Sequence, residues 1–322
     1  MIFVAGGAGY IGSHTVKALL KLGLEVLVFD NLSTGRREFV RGAKLVVGDL
    51  RDADSIRRAF RATKVDAVLH FASLIQVGES ALDPGKYYSH NVVSSLNLLD
   101  AMREAGVDKF IFSSSAAVYG IPREIPITED HPPAPFNPYG RTKLFVERIL
   151  EDYGRAYGLK FISLRYFNAS GADPDGEMGE CHSPETHLIP NILRALLGRT
   201  EALDIFGTDF PTPDGTAIRD YIHVTDLASA HALALKSLMA SPRSEFINLG
   251  SNRGYSVREV IAIAEKTVGK KVPTRERPRR EGDVPVLLAS REKAERLLGW
   301  ELHHSEIETI IETAWRWHRR AG

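Results

Sequence analysis

Short apolar runs alternate along this chain with longer segments whose apolar residues recur every three or four positions. Ile2-Phe3-Val4-Ala5 is the first run, and the segment behind it sets Ile11, Val16, Leu19 and Leu20 on one side of a helix. Glu25–Phe29, Lys44–Val47, Ala67–Ala72, Lys109–Phe112 and Lys160–Arg165 repeat the strand signature. Asp52–Ala62, Tyr87–Ala105 and the stretch from Tyr139 to Tyr157 repeat the helical one. Strands that are apolar almost throughout, each followed by a helix, predict a parallel sheet covered on both faces. Such sheets bind ligands beyond the carboxyl ends of their strands. Asp30, Asp49, Phe71, Ala72 and Ser113-Ser114-Ser115 all fall at such ends.

From Ala169 to Thr186 the composition shifts to Gly, Asp, Pro, Glu and Ser, which marks the entry to a smaller second domain. The expected division is therefore 1–168, with a return of 216–240, and 169–322. In the second part, Leu188–Leu197 reads as a helix and Pro211–Gly215 as a turn-rich loop. Asp220–Leu227 leads into an apolar helix through Leu238, and Phe246–Gly250 reads as a strand. Ser256 and Glu259 form a capping-box pattern at a helix start, and Ser305–His318 is the last helix. Thr274–Asp283, with Arg275, Arg277, Arg279 and Arg280, reads as a solvated loop or as a guanidinium fork for phosphate.

Charge and cysteine content narrow the function classes. Lys+Arg and Asp+Glu are 41 each in 322 residues, so no net field favours nucleic acid or an anionic membrane. No apolar run approaches the roughly 20 residues that span a bilayer. Cys181 is the single cysteine, which rules out an intrachain disulfide and suits a reducing cytoplasm. Cys181, His182 and His187 stand near Glu180 and Glu185 without the usual spacing of a metal motif, so no metal is expected.

Two motifs carry candidate chemistry. The first is Gly6-Gly7-Ala8-Gly9-Tyr10-Ile11-Gly12 between strand and helix, followed after the next strand by Asp30. Gly6 permits a tight turn, Gly9 lets backbone N–H groups approach a pyrophosphate, and Gly12 lets helix and strand pack closely. The phosphates would sit at the positive helix end, and Asp30 would accept from ribose hydroxyls, favouring NAD over NADP. The second is Asn137-Pro138-Tyr139-Gly140-Arg141-Thr142-Lys143 at a helix start. Tyr139 and Lys143 are four apart and share a helix face, so an ammonium can act on a phenol whose free pKa is near 10. That makes Tyr139 a candidate general base or acid with Lys143 tuning it.

With these motifs in place, the chain resembles the extended short-chain dehydrogenase/reductases and, within them, the UDP-glucose 4-epimerases. The resemblance runs through Gly6–His14, Asp30–Ser33, His70–Ser80, Ser113–Gly120, Pro138–Lys143, Arg165–Asn168, Ile205–Gly215, Ile218–Asp226 and Arg280–Asp283. It implies an α/β fold, a Rossmann-type doubly wound parallel sheet with a smaller α/β substrate-binding C-terminal domain. It implies NAD as cofactor, a UDP-sugar as substrate and a homodimer built on the Tyr87–Ala105 and Tyr139–Tyr157 helices, whose second apolar face of Leu96, Leu99, Phe145 and Ile149 fits either that interface or the domain core. Ser115, Tyr139 and Lys143 would be catalytic, passing the C4 hydrogen of the sugar through a 4-keto intermediate. Cofactor contacts would come from Gly6, Gly9, Tyr10, Ile11, Gly12, Asp30, Asn31, Leu32, Ser33, Thr34 and Gly35. Asp49 and Leu50 would lie at the adenine, Phe71, Ala72, Ser73 and Leu74 along the cofactor, with His90, Ser113, Tyr166 and Phe167. Asn168, His187, Leu188, Phe206, Arg219, Tyr221, Arg280, Asp283 and Leu287 would hold the nucleotide sugar, together with Ser115 and Tyr139.

The resemblance also carries departures. Ala116 and Ala117 stand where related 4,6-dehydratases place acids, which argues for simple epimerisation. Ile75 stands for a usual lysine, and His90 and His187 for usual asparagines. Leu287 occupies a position that gates the sugar's C2 substituent, so N-acetylated UDP-sugars stay open beside UDP-glucose and UDP-galactose. Two rivals are an enzyme of the same fold acting on UDP-glucuronate or a UDP-pentose, and a non-catalytic NAD-binding regulator. The intact Ser115, Tyr139 and Lys143 argue against the second.

Overall fold

The structure, a computed structural model, describes residues 1–280 and 282–320. Glu281, inside the Arg280–Asp283 segment, lies outside the described residues.

The strands are β1 Ile2–Ala5, β2 Val26–Asp30, β3 Lys44–Val47, β4 Ala67–His70, β5 Lys109–Ser113, β6 Lys160–Tyr166, β7 Asn168–Ser170, β8 Leu203–Phe206, β9 Ile218–His223, β10 Glu245–Leu249, β11 Gly254–Ser256, β12 Thr274–Arg277 and β13 Val286–Leu287. The helices are α1 Tyr10–Lys21, α2 Ala53–Arg61, α3 Val77–Leu82, α4 Pro84–Tyr87, α5 Ser94–Glu104, α6 Pro138–Tyr157, α7 Leu188–Leu196, α8 Val224–Ala240, α9 Val257–Val268, α10 Glu292–Leu298 and α11 Ile307–Arg320.

Seven strands form one sheet in the order β10-β6-β5-β4-β1-β2-β3, every pair parallel. Its strand residues are apolar on both faces because helices cover both. One core joins β1, β2, β4 and β6 to α1 and α8 through Val16, Leu19, Leu227 and Leu235. The opposite core joins Phe3, Phe29, Phe110 and Phe112 to Ile56, Leu98 and Val146 of α2, α5 and α6. The order reverses at β1, so the crevice of this doubly wound sheet opens beyond Ala5, where the glycine turn begins.

The return into this sheet runs further than residue 240. α8 lies against α1, and β10 pairs with β6 as the sheet's edge strand. A third core, with Ile189, Ile192, Leu193, Val260, Ile310 and Ile311, gathers α7, α9 and α11 in the smaller part.

Several segments differ from the sequence expectation. Ile218–His223 is a strand, held in a small sheet by β11, β13 and β7, where the sequence pattern suggests only a lead-in to a helix. Thr274–Arg277 is a strand and not a loop, because it finds a parallel partner, Leu203–Phe206, far away in the sequence. The expected Tyr87–Ala105 helix contains a wider π turn, Tyr88–Val93. The turn coincides with buried Asn91, whose amide clamps the Leu74 backbone with bonds of 2.8 and 3.0 Å. Of the second apolar face, Leu99 belongs to the domain core, at 1% exposed, and Ile149 packs against that core. Phe145 and Val93 are among the exposed apolar residues on this side, at 46% and 47%.

Candidate active site

The glycine turn is dictated by close backbone approaches. Gly6 has φ +78°, and a Cβ there would lie 2.5 Å from the Ala72 nitrogen. A Cβ on Gly12 would lie 2.2 Å from the Gly6 carbonyl oxygen, so α1 can start against β1 only with glycine here. Gly9 is different: its added Cβ would meet only the Gly6 oxygen, at 3.4 Å. The protein does not need Gly9 bare; a group lying against the turn does. α1 has no side-chain cap at Gly9, which leaves its first N–H groups for a ligand.

Asp30 ends β2 and faces this turn. Its carboxylate accepts from the Ala8 N–H at 2.9 Å and the Leu32 N–H at 2.8 Å. Burial pushes its pKa up and those two donors pull it down. Two acceptor oxygens beside a helix N-terminus suit a ribose diol. Gly35 is pressed close, since a Cβ would come within 2.9 Å of an Asp30 carboxylate oxygen. Asn31 donates to Asp49 at 3.0 Å, and Arg51 grips Asp49 in a two-pronged pair that holds its carboxyl well below the usual range. Ser33 N–H bonds the Asn31 side chain at 3.0 Å. Thr34 and Leu50 stand in the same loops, after β2 and β3.

Ser115, Tyr139 and Lys143, the residues expected to be catalytic, meet at the carboxyl ends of β4 and β5. Asn137 caps α6 by accepting from the Gly140 N–H at 2.8 Å, and Pro138 occupies the first turn, so Tyr139 and Lys143 emerge from a fixed helix start. The Lys143 ammonium donates to the Ser113 carbonyl at 2.8 Å and to Ser73 Oγ at 2.9 Å. It stands 6.0 Å from the centre of the Tyr139 ring. Ser115 ends the β5 serine run, accepts from the Ala117 N–H at 3.1 Å and hydrogen-bonds the Tyr139 phenol. Ser113 Oγ and the Tyr166 hydroxyl are hydrogen-bonded. Phe167 and Leu287 pack against Ala116, Val118, Tyr119 and Ile127. The Phe71 ring packs against that of His231 at a tilt of 44°, with centres 4.7 Å apart. His90, immediately before Asn91, bonds the Lys86 carbonyl through Nδ1 at 2.9 Å.

The electrostatics differ from the sequence expectation that Lys143 lowers the phenol. Burial pushes the Tyr139 pKa up, and the Ser115 bond only partly opposes it. Burial also lowers Lys143 to about 7, with the Glu147 carboxylate pulling back upward. In the chain by itself, an ammonium this desolvated is only fractionally charged at neutral pH and stabilises a phenolate weakly.

Glu147 is a residue that the sequence reading missed. It lies one turn past Lys143 on α6, nearly fully buried, and pairs with Arg165 of β6 through bonds of 2.9 and 2.7 Å. Ser114 Oγ and Ser163 Oγ also donate to it, at 2.8 and 2.9 Å. Arg165 reaches on to Tyr119, whose hydroxyl bonds Asn248. This network pins the serine turn from below. Its signal was the spacing: Tyr139, Lys143 and Glu147 recur every four residues on one helix face.

The residues expected at the nucleotide sugar come from several elements. Asn168 donates to the Asp220 carbonyl at 2.8 Å. Arg219 is largely buried, donates to the Ile218 and Val284 carbonyls at 2.9 Å, and stands 3.7 Å from Asp283. Burial lowers its pKa. Arg280 pairs with Asp283 at 3.0 Å and stacks over Phe206 at 5.0 Å. His187 and Leu188 open α7. Burial disfavours charge on His187, yet Glu180 and Glu185 carry its pKa well above the usual range. Tyr221 is 4% exposed and packs in the third core. The other arginines expected as a phosphate fork are each matched by an acid: Arg275 with Glu201, Arg277 with Asp204, Arg279 with Asp209.

Comparison with known proteins agrees with this geometry. The model of the NAD dependent epimerase/dehydratase family matches residues 2–250. The UDP-glucose 4-epimerase of Lacticaseibacillus casei is 50% identical over 98% of this chain and 96% of its own. The structure of UDP-glucose 4-epimerase from Brucella ovis in complex with NAD superposes with a TM-score of 0.95 at 49% identity, covering 98% of this chain and 97% of that one. A UDP-glucose-4-epimerase from Stenotrophomonas maltophila, with bound NAD and formylated UDP-arabinopyranose, gives 0.96 at 41% identity, covering 100% and 99%. A glycine turn at the sheet's switch point, an aspartate at the end of β2, a Ser-Tyr-Lys trio beside them and near-complete alignment with these enzymes place the chain in the NAD dependent epimerase/dehydratase family, among the UDP-glucose 4-epimerases.

Proposed function

We propose that this protein interconverts UDP-glucose and UDP-galactose by inverting C4 through a 4-keto sugar, with NAD as a resident cofactor. The carrying observation is the meeting of Ser115, Tyr139 and Lys143 beside the Gly6–Gly12 turn. The site fits the dinucleotide: the open face at Gly9 and the Asp30 carboxylate match a pyrophosphate and a ribose. When bound, NAD takes up and returns the C4 hydrogen with its electron pair.

The chain's own residues do the rest. Tyr139 accepts the proton of the 4-hydroxyl and later gives it back. Ser115 bonds the same oxygen and relays to the phenol. Lys143 holds the nicotinamide ribose and steadies the phenolate, with Glu147 raising its pKa against burial. Arg219, Arg280 and Asp283 hold the diphosphate and ribose, Phe206 gives the uracil a face, and Asn168, His187 and Leu188 complete the grip. Residues through 168, with 224–249, carry the cofactor, and the remainder carries the nucleotide sugar. Ala116 and Ala117 offer no acid for elimination, which favours epimerisation over dehydration.

The protein acts as a homodimer in the cytoplasm. Phe145 and Val93 support the dimer as an exposed apolar pair beside α5 and α6, and the mass in light scattering should be about twice 35.6 kDa. Tyr139→Phe tests the mechanism. It keeps the ring and removes the acid–base group, so UDP-galactose turnover should fall about 10²–10⁴-fold while NAD content is kept. Turnover at the wild-type rate would remove Tyr139 from the mechanism.

A further inference from the structure

Four metal-ligating side chains set aside on sequence spacing converge in the loop before α7. Glu180, His182, Glu185 and His187 each present one ligand atom, and these atoms all lie within 4.8 Å of one another. We propose that they bind one zinc ion as a structural site that fixes the entry to α7.

The donor chemistry selects the metal. Two imidazoles and two carboxylates are a zinc set, whereas magnesium and calcium take oxygen ligands. Four protein donors leave no open position, which marks a structural site. His182 Nδ1 is 2.9 Å from Glu180 Oε1, and His187 Nδ1 is 2.6 Å from the same oxygen and 3.1 Å from Glu185 Oε1. A tetrahedral zinc ion spaces its ligands about 3.4 Å apart, so these contacts need to open by less than about 1 Å.

Burial gives the ion a role and an entry path. Both carboxylates are 3% exposed at the side chain and share His187 Nδ1 as a neighbour, an arrangement of buried negative charge that a bound cation stabilises. The histidines are 20% and 36% exposed, which leaves one side open to solvent. The loop is held at both ends before any ion arrives. Trp317 Nε1 donates to the Glu180 carbonyl at 3.1 Å, and Gly179 lies so close that a Cβ would be 2.5 Å from the Trp317 ring. Asn191 of α7 donates to the Glu185 carbonyl at 3.3 Å. The Tyr10 ring, on the first turn of α1, meets His182 edge-on at 6.3 Å. The site therefore bridges the cofactor helix and the helix that His187 and Leu188 open.

Metal content tests this independently of turnover. The protein, expressed without a polyhistidine tag, is stripped with EDTA, loaded with zinc chloride or magnesium chloride, gel-filtered and analysed by mass spectrometry, with calorimetric titration in parallel. One zinc per chain should be retained, and no magnesium. Glu180→Gln and His182→Ala should each weaken zinc binding at least about 10-fold. Zinc should raise the melting temperature of the wild type and not of either variant. Should Glu180→Gln fail to fold, the part-exposed His182→Ala carries the comparison. Retention of no zinc, or zinc binding by His182→Ala equal to that of the wild type, overturns the site.

Discussion

Glu147→Gln exposes how the active-site floor is held. Glu147 takes four hydrogen bonds: two from Arg165, one from Ser114 and one from Ser163. The side chains of the pair are 1% and 5% exposed. Glutamine keeps one acceptor oxygen but turns the other into a donor that faces Arg165, whose charge stays buried without a counterion. Removing one partner of such a pair costs about 3–5 kcal/mol, out of a total stability of about 5–15 kcal/mol. That corresponds to a melting temperature lower by on the order of 10 °C. The second effect is on Lys143. Glu147's charge raises its pKa against burial, so losing that charge drops it below about 7. The alkaline limb of UDP-galactose turnover should then move to lower pH. Calorimetry and a pH–rate profile read the two effects separately. The double substitution Glu147→Leu with Arg165→Met removes both charges, and should recover most of the stability without restoring the pH profile. A loss under about 1 kcal/mol for Glu147→Gln, with an unmoved pH profile, would refute the argument.

Three further outcomes follow from the same geometry. Lys143 is held at about 7 when folded against 10.5 unfolded, so between those values the unfolded chain binds a proton that the folded chain does not. The stability of the NAD-free protein should therefore rise with pH in that window, by up to about 1.4 kcal/mol per unit relative to Lys143→Met; parallel curves in denaturant titrations would contradict the burial of the ammonium. Gly9→Ala should fold with a near-normal melting temperature yet lose bound NAD, because its Cβ meets only the Gly6 oxygen at 3.4 Å; NAD kept at the wild-type level by chromatography of the denatured protein would mean that nothing lies against Gly9. Leu287→Tyr should lower any activity on UDP-N-acetylhexosamines more than activity on UDP-galactose, and an unchanged ratio of the two rates would remove Leu287 as the gate.

Much of the site was written in local sequence because local chemistry determines it. Gly6 and Gly12 are demanded by backbone contacts within one turn, and Asn137 and Pro138 start α6 from adjacent positions. Strand–helix alternation likewise implied a parallel sheet covered on both faces, since strands apolar on both sides cannot face water. What only the tertiary structure decided depended on partners distant along the chain. Arg165 acquires its carboxylate from a helix that precedes its strand, and β12 exists only because β8 offers it an edge. Periodicity left Leu99 and Phe145 alike between core and interface, and only the packing around them buries Leu99 and leaves Phe145 exposed. The pKa of Lys143 was invisible for the same reason. Its spacing from Tyr139 belongs to the sequence, while the desolvation that lowers it is the sum of everything folded around it.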